Sequence, residues 1–118
     1  MERTIEIDGR PVKFKATGAT IRIYRQTFQR DILSDMEQLQ KEAVDGRPTA
    51  DALQTFENMA YVMAKQADPS IPDTADEWLD GFSMFSLYQI LPEIIGLWGL
   101  SAQTLSDSKK KALAQTDR

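Results

Sequence analysis

The chain predicts a mainly α-helical protein with a short N-terminal β-hairpin, an α+β fold built as a small bundle of four to five helices. Three observations lead there. Apolar and polar residues alternate strictly only before position 17. Most of the remainder repeats its apolar residues at spacings of three and four, the period of a helix face. The length, 118 residues, is that of one domain and enough to bury a real core.

The elements follow in chain order. Thr4-Ile5-Glu6-Ile7 and Val12-Lys13-Phe14-Lys15 alternate on either side of Asp8-Gly9-Arg10-Pro11, a turn signal, so a hairpin is expected over 3–16. Ile5, Ile7, Val12 and Phe14 should share its buried face. A long helix is predicted over about 19–44, with the stripe Ile21, Tyr24, Phe28, Ile32, Met36, Leu39 and Ala43. Asp45-Gly46-Arg47-Pro48 closes it, and Thr49 should cap a helix over 50–67. Leu53, Phe56, Met59, Ala60, Met63 and Ala67 form one face of that helix. Asp68-Pro69 ends it, because proline lacks a donor and turns its predecessor away from helical angles. Pro72 stiffens the elbow, and Thr74 with Glu77 has the form of a capping box opening a short helix over 74–82. From Met84 to Leu100 the apolar residues cover most of the circumference, and only Ser86, Gln89, Glu93 and Gly96 leave a polar line. A helix of that kind is expected at the centre of a core. Pro92 either kinks it or marks the first turn of a separate helix after Leu91. A globular domain over 1–105 and a mobile polar tail over 106–118 complete the expected organisation.

Two stretches resemble a known family. AYVMAKQADPSIPDTADEWLD, from Ala60 to Asp80, and the opening MERTIEIDGRPVKFKATGAT, followed by a helix with Tyr24, Arg25 and Phe28, are similar to the tail assembly chaperones of long-tailed bacteriophages and prophages of Gram-positive bacteria. The resemblance runs from about Met1 to Leu100 and contains no catalytic signature. It implies a non-catalytic protein of the bacterial host cytoplasm, absent from the mature virion, that keeps the tape-measure protein soluble while tail-tube subunits polymerise around it. It also implies a longer second product made by ribosomal frameshifting near the end of the reading frame. Lys109-Lys110-Lys111 is where an A-rich codon run would lie.

Composition narrows the chemistry independently. Cysteine and histidine are both absent, which removes disulfides, thiolate nucleophiles, the commonest metal ligand and the commonest neutral-pH proton carrier. A net charge of −4 disfavours a general nucleic-acid binder. No stretch reaches the ~18 apolar residues of a membrane span, and no signal-peptide pattern follows Met1. No cofactor, catalytic residue or metal ligand is expected.

Four groups of residues are candidate sites. Asp31 with Asp35, and Asp73, Asp76, Glu77 and Asp80, could in principle share a metal, but carboxylates near helix starts are accounted for by capping and the helix dipole. Arg22, Arg25 and Arg30 share their helix with Asp31, Asp35 and Glu37, which makes a solvated mixed face, although Arg25 beside Tyr24 could anchor an acidic partner peptide. The lysine run is shorter than the five to eight residues of a basic patch and reads as part of a solubilising tail. The apolar final helix is either core or a helix that turns Leu87, Ile94 and Trp98 toward a partner or an identical subunit. A partner groove is expected from Tyr24, Arg25, Phe28, Met59, Met63, Trp78 and Trp98. The alternatives to a chaperone are a structural head–tail connector or tail component of the virion, and a small carboxylate-based metal-dependent enzyme.

Overall fold

The computed structural model describes residues 1–45 and 49–97. Strand β1 (Glu2–Ile7) and strand β2 (Arg10–Lys15) pair antiparallel, with Ile7 opposite Arg10 and Glu2 opposite Lys15. The two residues between them, Asp8 and Gly9, both have positive φ (54° and 74°). That is the tight hairpin loop whose twist matches the strands, and it explains the Asp-Gly pair. Ile5, Ile7 and Phe14 are buried and Val12 is half-buried, so one face of the hairpin packs inward as expected.

The helix expected over 19–44 is two helices. α1 (Gly18–Phe28) ends on Gln29, which takes the left-handed conformation at φ 59° and sends its N–H to the Arg25 carbonyl. α2 (Ile32–Asp45) starts afresh on Asp31, whose carboxylate accepts the Leu33 N–H at 3.0 Å. The apolar stripe nevertheless survives the break: Tyr24, Ile32, Met36 and Leu39 are buried, and Ile21 and Phe28 are half-buried. The start of α1 is tied down by a reciprocal cap. The Thr20 hydroxyl accepts the Thr17 N–H at 2.8 Å and the Thr17 hydroxyl accepts the Ala19 N–H at 3.3 Å, while Gln66, far along the chain, donates to the Thr17 hydroxyl at 2.7 Å.

α3 (Ala50–Ala67) has the boundaries that its caps dictate, with Thr49 accepting the Ala52 N–H at 3.2 Å. It packs against α1, α2, α4 and β2. Every residue from Met59 to Ala64 is buried, so the middle of α3 is enclosed on all sides. Ala52, Ala60 and Ala64 let neighbouring backbones come close. This corrects the expectation that the last helix would be central: α3 holds that position. Burying its Phe56, Met59 and Met63 fully contributes about 1.5–3 kcal/mol each.

After α3 the chain turns through the two-proline elbow into α4 (Ala75–Leu79), shorter than the 74–82 expected and capped by Thr74, which accepts the Glu77 N–H at 3.2 Å. The helix expected over 84–100 is also interrupted. α5 (Ser86–Gln89) ends at Ile90, and α6, helical over 91–97, begins with Pro92 in its first turn, where a missing donor costs nothing. Leu87, Ile90, Ile94 and Leu97 are buried while Gln89, Pro92, Glu93 and Gly96 are exposed, so this segment is one-sided. Leu87 and Ile94 therefore belong to the core and are not turned toward a partner. Trp98, the Ala43 side chain, residues 46–48 and the tail expected over 106–118 lie outside the described residues. Among the described residues no helix is long and apolar enough to cross a membrane.

Candidate functional site: a groove between the hairpin and the elbow

A groove of about 590 Å³ runs between strand β2 and the elbow. Arg10, Pro11, Val12 and Lys13 form one wall, and Ala64 and Ala67 of α3 form part of the floor. Asp68, Ile71 and Pro72 stand on the opposite side, and Glu77, Trp78, Gly81 and Phe82 close one end. α3 contributes the small side chains Ala64 and Ala67 to a lining that is otherwise more polar than apolar. The rim carries two cations, Arg10 and Lys13, and two anions, Asp68 and Glu77.

Both walls are held rigidly. Lys65 donates to the Pro69 carbonyl (2.8 Å), the Ile71 carbonyl (2.7 Å) and the Asp73 carboxylate (3.0 Å), which folds the elbow onto the end of α3. The Tyr61 hydroxyl donates to the Pro72 carbonyl at 2.7 Å, and burial raises its phenol pKa. Ser70 gives both its hydroxyl and its N–H to Asp68, keeping that carboxyl below the usual carboxylate range. At the closed end, Arg10 donates to the Gly81 carbonyl at 2.6 Å, and its guanidinium lies 5.1 Å from the centre of the Phe82 ring. Trp78 meets Phe82, Tyr61 and Phe14 at ring separations of 5.0, 5.9 and 6.5 Å.

Beyond Phe82 the surface changes character. Met84 and Phe85 are 81% and 66% exposed, the two most exposed large apolar side chains in the molecule's described part. They stand on a turn clamped at both ends by Asp8, which accepts the Ser83 N–H at 2.7 Å and the Ser86 hydroxyl. These bonds also hold the Asp8 carboxyl below its ordinary range.

No family model, no curated protein and no solved structure matches this chain.

The side chains expected to line a partner groove do not come together at the surface. Tyr24, Met59, Met63 and Trp78 are 0–5% exposed and form core, and of these only Trp78 borders the groove. Helical spacing identifies a buried face but does not say whether the chain itself covers it. Phe28 is half-buried against Tyr24, with ring centres 5.1 Å apart, and borders a separate polar recess of about 270 Å³ with Arg30, Asp51, Gln54, Thr55 and Asn58. Arg25 is exposed in the last turn of α1.

The acidic pairs also find structural employment. Asp31 caps α2, Asp73 meets Lys65, and Asp76 sits in the first turn of α4. Asp35, only 8% exposed, accepts the Tyr24 hydroxyl at 2.9 Å and a two-pronged contact from Arg30 at 2.7 and 2.8 Å. Among the described residues no group of acidic side chains is placed to hold a metal ion. The groove is not legible in the sequence because its walls lie some fifty residues apart. The available signal was Arg10-Pro11, a proline on a strand edge, facing a two-proline elbow.

Proposed function

We propose that this protein is a tail assembly chaperone of a long-tailed bacteriophage or prophage, acting without catalysis in the host cytoplasm. It would bind the tape-measure protein and tail-tube subunits during tail morphogenesis and be absent from the finished virion. One observation carries the reading furthest. The two stretches that resemble this family, Met1–Thr20 and Ala60–Asp80, are remote in sequence yet together supply nearly all of the groove's lining. A groove that sets small apolar side chains among charged ones suits reversible cover of an amphipathic segment, whose apolar residues would meet Ala67 and Ile71 while its charges would meet Lys13, Asp68 and Glu77.

Co-expression with the tape-measure protein is the test. The expected result is a soluble tape-measure protein that co-purifies with this chain, and a loss of co-purification when Ala67→Arg fills the groove. A tape-measure protein that precipitates regardless would overturn the proposal. So would stoichiometric recovery of this chain from purified virions, which would favour a structural tail component.

A further inference from the structure

We infer that the free edge of strand β1 receives an extended, basic segment of a partner polypeptide as a third strand of the sheet. The phase of the hairpin decides which backbone groups stand free. Met1 and Ala16 exchange both of their bonds, the Met1 ammonium donating to the Ala16 carbonyl and the Ala16 N–H to the Met1 carbonyl, each at 2.8 Å. Hydrogen-bonded pairs alternate along an antiparallel ladder, so Arg3, Ile5 and Ile7 bond to Phe14, Val12 and Arg10. The N–H and C=O groups of Glu2, Thr4 and Glu6 therefore point outward, and among the described residues the sheet has no third strand to take them.

The two edges of the hairpin are unlike. On β2 the outward positions are Pro11, Lys13 and Lys15; Pro11 has no donor, and Pro11 and Lys13 already line the groove. β1 has no proline, its pairing runs from Glu2 to Ile7 without a bulge, and none of its residues lines the groove. It is the edge that another strand can extend, and a sheet of two strands gains from a third.

Charge says which strand. The side chains of Glu2, Thr4 and Glu6 are exposed on the outer face, with the two carboxylates about 13 Å apart along the strand. Neither carboxylate forms an ion pair among the described residues. Lys15 stands opposite Glu2 on β2, whereas Glu6 faces Pro11. A second copy is the wrong occupant. Full two-fold overlap of β1 with itself sets Glu2 against Glu6 at both ends, and sliding it by two residues sets Arg3 against Arg3 or Glu2 against Asp8. A strand with lysine or arginine at two positions four apart sets a cation opposite each glutamate instead. Its intervening residues follow the pattern of β1, apolar opposite Ile5 and threonine-like opposite Thr4. This edge is separate from the groove and from the client assigned there.

The test uses the full chain and a fluorescein-labelled peptide with the core Lys-Val-Thr-Val-Lys, beside a control in which both lysines are glutamate. Fluorescence anisotropy at low salt should show saturable binding of the basic peptide, and binding of the acidic one about tenfold weaker or more. Glu2→Lys/Glu6→Lys should reverse that preference without altering circular dichroism, since both side chains are exposed. Amide exchange followed by NMR reads the backbone directly. The Thr4 and Glu6 N–H groups should exchange quickly in the free chain and slow down with the basic peptide, while Ile5 and Ile7 are protected throughout. Ala67→Arg, which fills the groove, should leave peptide binding unchanged. A basic peptide that does not bind, a preference that survives the charge reversal, or binding lost in Ala67→Arg would overturn the inference. So would Thr4 and Glu6 amides already protected in the free chain. Tape-measure co-purification is read separately, so either proposal can fail without the other.

Discussion

The Asp8 carboxylate accepts the Ser83 backbone N–H at 2.7 Å across seventy-five positions of chain, joining the hairpin turn to the loop that follows α4. Asp8 sits in the left-handed region that aspartate and asparagine tolerate, so its carboxylate is aimed by a turn that Asp-Gly makes easily.

Asp8→Asn keeps that turn but removes the charge that receives both serines. Hydrogen exchange at Ser83 should accelerate, and chymotryptic cleavage at Phe85 should become several-fold faster with little change in Tm. Wild-type protein should show the same loosening on acidification. The folded-state pKa of Asp8 is depressed, so the clamp is intact above the ordinary carboxylate range and weakens as pH falls through about 4 and below.

The Tyr24–Asp35–Arg30 cluster makes a second pH prediction. Arg30 bonded to both carboxylate oxygens holds Asp35 below its usual range, whereas burial and the neighbouring Asp35 push the Tyr24 phenol well above the usual range. The unfolded chain therefore binds more protons at Asp35 than the folded one, and the cluster's contribution, present at neutral pH, is lost on acidification below about pH 4. Urea denaturation should show Tyr24→Phe costing about 1–2 kcal/mol and Asp35→Ala about 2 kcal/mol or more. Asp35→Ala should also flatten the acid limb of the stability profile.

Gln29 takes a positive φ that a glycine adopts without penalty. Gln29→Gly should leave the stability unchanged or raise it by up to about 1 kcal/mol, and Gln29→Val should lower it by about 1 kcal/mol or more. Equal effects from both would show that α1 does not end on a left-handed residue.

Trp78 joins the core to the closed end of the groove. Trp78→Ala should cost about 3–5 kcal/mol in denaturant unfolding and release Phe82 from its edge-on contact, which sits at 79° between ring planes. A variant with normal stability would place Trp78 outside the core.

Local chemistry explains which elements could be read in advance. α3 was legible at both ends because Thr49 and Asp68-Pro69 are strong, unambiguous punctuation. The hairpin was legible because Asp8-Gly9 specifies its loop. The break between α1 and α2 was hidden because Tyr24, Phe28, Ile32 and Met36 keep a spacing of four straight through it. Asp31, in position to accept the Leu33 N–H, is the signal of a new helix start, disguised because the same spacing also fits an acid on one continuous helix face. The final segment looked central because its composition is apolar, whereas burial depends on what lies on each side. Tyr24, Met59 and Met63 were placed on the right faces, but those faces close on one another. The groove joins residues 10–13 to residues 64–82, a proximity that no periodicity encodes.

The hairpin's packing against α3 also bears on how the polypeptide reaches this state on a ribosome. The strands are translated before α3, Trp78 and Ser83, the partners on which they pack. Two strands alone are marginal in water. The greasy side of the hairpin must therefore wait, uncovered, until α3, which starts thirty-five positions after β2 ends, has been synthesised.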